Sequence, residues 1–170
     1  MNSITLGKTL KLLHVTASIG FCSALLALIA LHASLPEPSE LEKFAMLRIT
    51  MGNVATWLLL PSTGLAVVSG LFSMAANDLY KNAGWAWVKL ATGVLVLEGT
   101  LVYVQAPMQR AAIAAQAALD GELDLSTLGT SLAAEWGSFW VILGVAAVNI
   151  GLAVFRPRII RRIPAEAEEA

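Results

Sequence analysis

Four stretches of the chain are continuously apolar over lengths that match a membrane-spanning helix. They run from about Leu10 to Ala33, Met46 to Ala76, Trp85 to Ala106 and Leu132 to Phe155. A helix needs about 20 mostly apolar residues to cross the hydrocarbon core of a bilayer. The apolar residues do not alternate with polar ones, so the pattern is not that of a transmembrane β-barrel. The sequence therefore predicts an all-α, four-helix transmembrane bundle.

The composition also favours a membrane protein. Of the 170 residues, 57% are hydrophobic and 14% are charged, whereas soluble domains carry about 25% charged residues. A net charge of −1 provides no basic surface for nucleic acid, and a single cysteine excludes a disulfide framework. The length allows one membrane domain over residues 1–164, followed by a short acidic tail at 165–170. We expect the first helix to be retained, because it is longer than the apolar region of a signal peptide.

The distribution of basic residues predicts the orientation of the helices. Lysines and arginines lie at the N-terminus, around the loop between the second and third helices, and in the C-terminal tail. They are Lys8, Lys11, Lys81, Lys89, Arg156, Arg158, Arg161 and Arg162. The other two loops are rich in aspartate and glutamate. Because loops rich in lysine and arginine stay in the cytoplasm, both termini are predicted to be cytoplasmic, in a multi-pass membrane protein.

The third helix is expected to continue beyond the membrane. Pro107 should kink or restart it, and an alanine-rich segment then runs to about Leu119. The pair Asp120-Gly121 that follows is a typical helix stop. The stretch 123–131 is interpreted as a structured loop.

Polar residues inside the apolar stretches are the candidates for function, because an ionised group at mid-bilayer costs about 2.5–3.5 kcal/mol on insertion scales. His14, Lys89 and Asn149 fall at a similar depth on the cytoplasmic side, and we predict that they form one polar layer. Lys89 is shallow enough for its ammonium group to reach the membrane surface, which favours a structural role. His14 is interpreted either as a hydrogen bond between helices or as a contact to a ligand or cofactor.

Glu98 lies deeper, about 18 Å from the cytoplasmic edge and near the bilayer centre. The second helix has Pro61 and Thr63 at this depth, and the proline leaves the carbonyl of Trp57 without its usual donor. Free carbonyls at this depth are tolerated where they face protein or a polar cavity. The sequence therefore predicts a small pocket beside Glu98. Its carboxyl group is interpreted either as a neutral link between helices or as a functional group.

Two ionisable residues near the outer ends of the helices are expected at the membrane surface. His32 should be solvated, and Arg48 should contact a lipid headgroup or form a surface ion pair near Glu40 and Glu42. The sequence contains no histidine–glutamate zinc motif, no Gly-x-Ser-x-Gly and no phosphate-binding loop. The methionines are scattered and form no Met-x-x-Met path for copper. No metal site and no catalytic residue are therefore assigned.

Short motifs along most of the chain carry a resemblance to known proteins. They are Lys-Leu-Leu-His at 11–14, Leu-Pro-Ser-Thr-Gly-Leu at 60–65, Trp-Ala-Trp-Val-Lys-Leu at 85–90, Ala-Pro-Met-Gln-Arg at 106–110 and Phe-Arg-Pro at 155–157. Together they resemble a family of predicted bacterial integral membrane proteins. That family is similar, at a distance, to copper-resistance D-type proteins and HemJ-type protoporphyrinogen oxidases.

The HemJ-type enzymes are thought to hold a b-type haem between a histidine of helix one and a histidine of helix three. His14 matches the first of these positions. The second falls near Glu98 to Thr100, where this chain has no histidine. The resemblance therefore implies a haem held by one histidine, a metal, a quinone-like ligand, or no cofactor.

Three functions stay open at this point. The first is a non-enzymatic membrane protein that acts as an accessory subunit or binds a small ligand. The second is a haem- or redox-linked membrane protein in which His14 contacts the cofactor and Glu98 handles protons. The third is a small transporter or metal-tolerance factor, which would have to oligomerise to enclose a path. The expected partners are the lipid bilayer and either another protein subunit or further copies of the chain.

Overall fold

Four long helices make up most of the described part of the chain. The computed structural model describes residues 3–76, 83–124, 128 and 131–155, and these residues contain no β-strand. We number the helices α1 (Ser3–Ala33), α2 (Leu41–Ala75), α3 (Gly84–Leu119) and α4 (Leu132–Phe155). Each is long and apolar enough to cross a membrane. The prediction of an all-helical chain with four such helices is confirmed.

Helices α1 and α2 begin several residues before their apolar stretches do. α1 begins at Ser3 and α2 at Leu41, whereas the apolar pattern predicts starts near residues 10 and 46. The apolar pattern marks the part of a helix that suits lipid, and polar residues with good helix propensity extend the helix beyond it. The acidic tail at 165–170, Lys81 and the arginines after residue 155 lie outside the described residues, as does part of the loop at 123–131.

α2 and α3 each contain one wide π-helical turn, at Ala55–Leu59 and Thr100–Gln105. Each turn lies just before a proline, Pro61 in α2 and Pro107 in α3. Proline cannot donate a backbone hydrogen bond, and a π turn shifts the bonding pattern locally without ending the helix. Both helices therefore continue through their prolines.

The two π turns are in contact, and a small polar cluster joins the helices next to them. Thr56 Oγ1 donates to Gln109 Oε1 at 2.9 Å and accepts from Gln105 Nε2 at 3.1 Å. These bonds satisfy polar side chains between two mainly apolar helices, where lipid would offer them no partner.

α3 ends in a Schellman motif built on Gly121. Gly121 has a φ of 77°, a conformation that glycine adopts without a Cβ clash. Its N–H donates to Ala118 O at 3.2 Å, and the Glu122 N–H donates to Ala117 O at 2.9 Å. The Asp120-Gly121 pair is therefore the helix stop that the sequence predicts.

Small residues set the spacing between the helices. A Cβ placed on Gly52 would lie 2.7 Å from Ala112 Cβ, and one placed on Gly20 would lie 2.6 Å from Ser62 Oγ. Such close approaches are typical of helix pairs in membranes. Between the helices lies one core, which includes Phe21, Leu25, Leu28, Met51, Leu59, Val104, Met108 and Phe139.

Candidate functional site

His14 is anchored to α2 through its Nδ1 atom. Nδ1 lies 2.8 Å from the carbonyl oxygen of Ala66 and 3.3 Å from Ser69 Oγ. A carbonyl oxygen only accepts hydrogen bonds, so Nδ1 carries a proton and donates it to Ala66. In a neutral imidazole this leaves Nε2 unprotonated, with a lone pair. Gly70 lies next to the ring, since a Cβ there would be in van der Waals contact with His14 Cε1 at 3.4 Å.

The Nε2 atom of His14 has no hydrogen-bond partner among the described residues. The side chain is half-buried, so it is neither enclosed in the core nor fully exposed. One helical turn away, Leu10 lines an open apolar groove of about 500 Å³ between α1 and α2. The other residues of this groove are Leu6, Phe72, Ala75 and Ala76. The Nε2 lone pair of His14 and the apolar groove therefore lie close together on this side of the bundle.

Asn149 connects α4 to α3 at the same end of the bundle. Its Nδ2 donates to Lys89 O at 3.1 Å and to Thr92 Oγ1 at 2.8 Å. Lys89 in turn lies close enough to act electrostatically on His14. The structure thus brings His14, Lys89 and Asn149 to one level, where polar side chains join α1 to α2 and α3 to α4.

Glu98 does not face the interior of the bundle. Glu98 and Pro61 are exposed on the outer surface, whereas the neighbouring Thr100 is buried. Thr63 is buried too, and its Oγ1 donates to Leu59 O at 2.7 Å. The prediction of an internal pocket lined by Glu98, Pro61 and Thr63 is therefore wrong. The helix is apolar around its whole circumference, so the sequence did not indicate which face turns inward.

Glu98 and His14 also belong to different places in the molecule. Lys89 is near enough to act electrostatically on His14, and Glu98 follows Lys89 on α3, about 14 Å further along the helix axis at about 1.5 Å per residue. A single compact site that uses both side chains is not formed. Each of the two residues has to be interpreted by itself.

The most extensively bonded polar group that the structure describes lies at the opposite end, around the carboxylate of Glu135. Arg48 approaches it in a bidentate manner, with Nη1 donating to Oε2 and Nη2 donating to Oε1, both at 2.7 Å. His32 Nε2 donates to Oε2 at 3.0 Å, and Ser131 Oγ donates to Oε1 at 2.6 Å. Each carboxylate oxygen thus accepts two hydrogen bonds. We call these four residues the Glu135 cluster.

The ionisable members of this cluster, His32, Arg48 and Glu135, are buried beside aromatic rings. His32 is 5% exposed, and Arg48 and Glu135 are each 2% exposed. The His32 ring meets the rings of Trp136 and Phe139 edge-on, with centroids 4.9 and 5.5 Å apart. The Arg48 guanidinium lies 5.9 Å from the centre of the Phe44 ring. A fully paired carboxylate in a closed apolar shell suits a structural role, because it ties α1, α2 and α4 together without access for a reactant.

Two predictions from the sequence are corrected by the Glu135 cluster. His32 is buried rather than solvated, and Arg48 forms a buried ion pair rather than a surface contact. The sequence places both at the membrane surface because they lie near helix ends. The available signal was that a histidine, an arginine and a glutamate fall at the same depth on three different helices.

The described residues contain no group of three His, Cys, Asp or Glu side chains that could hold a metal ion together. Among the described polar atoms, His32 Nδ1 and Thr100 Oγ1 are buried without a hydrogen-bond partner.

No family model, no curated protein and no solved structure matches the chain.

Proposed function

We propose that the chain is a non-catalytic integral protein of the bacterial inner membrane, with both termini in the cytoplasm, that binds a small apolar molecule at His14. Four helices of sufficient length and apolar character support membrane insertion. The basic residues at the termini and between α2 and α3 support the orientation. The observation that carries ligand binding is the orientation of the His14 ring, with Nδ1 bound to Ala66 and Nε2 left for another partner.

The chemistry of the site defines the class of ligand. The lone pair on Nε2 accepts a hydrogen bond from a hydroxyl or N–H group, or it coordinates a metal centre. The bond from Nδ1 to Ala66 fixes the ring and its tautomer, so Nε2 does not have to reorient on binding. The groove at Leu10 supplies apolar surface one turn away. A largely apolar molecule with one polar group, such as a quinol-like compound, fits this combination.

A haem b held by His14 is the second candidate, and the same ring geometry favours it. A histidine that binds a metal through one nitrogen commonly donates its other N–H to a carbonyl oxygen, as His14 does to Ala66. His14 also matches the position of the helix-one histidine in the HemJ-type enzymes, which the resemblance described above brings in as distant relatives. Because Glu98 is exposed and lies about 14 Å from the level of His14, these residues fit a haem with one protein ligand from α1. Such a haem would supply redox chemistry and visible absorption.

The replacement of His14 by alanine tests both candidates. We expect the purified wild-type protein to retain a small molecule in mild detergent, and the His14→Ala variant to bind it roughly two- to tenfold more weakly, since one hydrogen bond to a ligand is worth about 0.5–1.5 kcal/mol. Visible absorption in the oxidised and reduced states identifies a haem, and mass spectrometry of an organic extract identifies a colourless ligand. Ser73→Ala, a change in α2 of a side chain that donates only to the Ser69 carbonyl, is the control.

Equal ligand content in the wild-type and His14→Ala proteins would remove His14 as the binding residue. A Soret band that disappears only in His14→Ala would favour haem over an organic ligand. Reporter proteins fused to each terminus test the orientation, and activity of a periplasmic reporter at either end would contradict it.

A further inference from the structure

One face of the N-terminal half of α3 is apolar and exposed between Trp87 and Val102, with a single carboxyl group within it. Its members are Trp87, Val88, Ala91, Val94, Leu95, Glu98, Leu101 and Val102, and all of them are exposed. We call this surface the Glu98 face. On the opposite side of the same helix, Val96, Gly99 and Thr100 are buried in the bundle. The Glu98 face therefore points away from the other three helices.

The position of Glu98 makes this face different from an ordinary lipid-facing surface. The argument rests on the proposed membrane insertion. Glu98 lies about 21 Å from the start of α3 at Gly84, at about 1.5 Å per residue, too deep for its short side chain to reach water. No hydrogen bond or ion pair joins Glu98 to another described residue. A carboxyl group exposed to hydrocarbon without a partner is unfavourable in either protonation state, which indicates that protein covers this face.

We propose that the Glu98 face binds a second copy of the chain, and that the two Glu98 carboxyl groups form a hydrogen-bonded pair across a two-fold axis. Most homo-oligomers have closed symmetry, and an axis along the membrane normal places each residue opposite its own counterpart at the same depth. A protonated carboxyl group has one donor and at least one acceptor. Two protonated carboxyl groups that face each other can therefore each donate one hydrogen bond and accept one.

The complementarity of the face to itself favours a second copy over a different protein. In the protonated pair proposed here, the partner of Glu98 offers one group that both donates and accepts hydrogen bonds, at the depth of Glu98, within an otherwise apolar surface. A second copy meets all three conditions by symmetry. Ala91, two turns before Glu98, is a small residue that permits close approach of two helices.

Cysteine cross-linking in native membranes tests the position of the interface. Cys22 is the chain's one cysteine and is first replaced by alanine. Leu95→Cys lies one turn from Glu98 on the same face. Val141→Cys is the control, because it is exposed on α4 next to Ile142, which contacts Gly99 at the depth of Glu98. Oxidation should produce a dimer of twice the chain mass with Leu95→Cys and at least tenfold less dimer with Val141→Cys.

Two substitutions test the role of the carboxyl group. Glu98→Gln retains both a donor and an acceptor, so the dimer population in lipid vesicles, measured by single-molecule photobleaching, should stay within about twofold of wild type. Glu98→Leu removes both and should lower that population at least tenfold. Because Glu98 is exposed in the single chain, neither change should alter the helical content or the thermal unfolding of the monomer.

Several outcomes would overturn the inference. These are a monomeric wild-type protein, equal cross-linking at the two cysteines, unchanged dimerisation of Glu98→Leu, or cross-linking of Leu95→Cys to a different protein instead of a second copy. Extraction by alkaline carbonate is measured first, since release of the chain from membranes contradicts the proposed membrane insertion before any cross-link is interpreted. Ligand retention at His14 is a separate readout, so the failure of dimerisation and the failure of ligand binding are distinguishable.

Discussion

The replacement of Glu135 by alanine should lower the free energy of unfolding by about 3–5 kcal/mol, because it leaves Arg48 buried without its counter-charge. The variant loses both bonds from the guanidinium, and it also leaves His32 Nε2 and Ser131 Oγ without their acceptor. Almost no water reaches the site to compensate, since Arg48 and Glu135 are each 2% exposed. Thermal unfolding in detergent, followed by circular dichroism, measures the effect.

The ion pair between Glu40 and Lys43 provides a matched control for Glu135. Their Oε2 and Nζ atoms are 2.6 Å apart, but the Lys43 and Glu40 side chains are 76% and 52% exposed. Glu40→Ala should therefore cost no more than about 1 kcal/mol. A double variant that replaces Arg48 by methionine and Glu135 by leucine should recover much of the stability, because no charge is then buried. If Glu135→Ala unfolded at the same temperature as Glu40→Ala, the Glu135 cluster would not hold the bundle together.

The replacement of Gly52 by leucine should separate α2 from α3 and destabilise the protein by about 1–3 kcal/mol or more. Even a Cβ at this position would lie 2.7 Å from Ala112 Cβ and 3.3 Å from the backbone oxygen of Met108. Neither atom can move aside by a side-chain rotation, so the helices themselves have to shift. A rise in proteolysis at the ends of these helices, together with a lower unfolding temperature, would report the change.

Gly64 on the same helix serves as the control for Gly52. A Cβ there meets nothing within 4 Å, and an alanine in a helix interior is favoured over glycine by about 0.5–1 kcal/mol. Gly64→Ala should therefore leave stability unchanged or raise it slightly. Equal behaviour of Gly52→Leu and Gly64→Ala would show that the α2–α3 contact does not depend on the small residue.

The all-helical architecture could be predicted from the sequence because long, continuously apolar stretches form helices rather than alternating strands. Continuous apolar stretches of sufficient length indicate helices, and the range of α4 follows from its stretch directly. The end of α3 at Leu119 follows instead from the alanine-rich segment and the Asp120-Gly121 stop. The starts of α1 and α2 could not be located in the same way. Residues such as Lys8, Lys11 and Glu42 are compatible with a helix although they are unsuited to the hydrocarbon core.

The sequence could not show which face of each helix is buried, and the reason is physical. In a soluble helix the polar side reveals the buried side, but a helix that is apolar all round carries no such contrast. Glu98 could therefore be placed at its depth but not on the outer surface. His14, Lys89 and Asn149 were grouped because equal depth on neighbouring helices does not require knowledge of the faces. His32, Arg48 and Glu135 also lie at equal depth on different helices, so grouping residues by depth would have indicated the Glu135 cluster.

The ion pair of Arg48 and Glu135 has a consequence for the order in which the chain is made. The two residues are 87 positions apart in sequence, so the ribosome completes α1, α2 and α3 before it reaches the glutamate. During that interval Arg48 and His32 have no carboxylate to neutralise and bind them. In a chain that stops before Leu132, Arg48 stays without a carboxylate partner. In a complete chain, Glu135 pairs with Arg48 once α4 has been made. The pairing therefore distinguishes finished from unfinished molecules, and a chain truncated before Leu132 should unfold at a lower temperature than the complete chain.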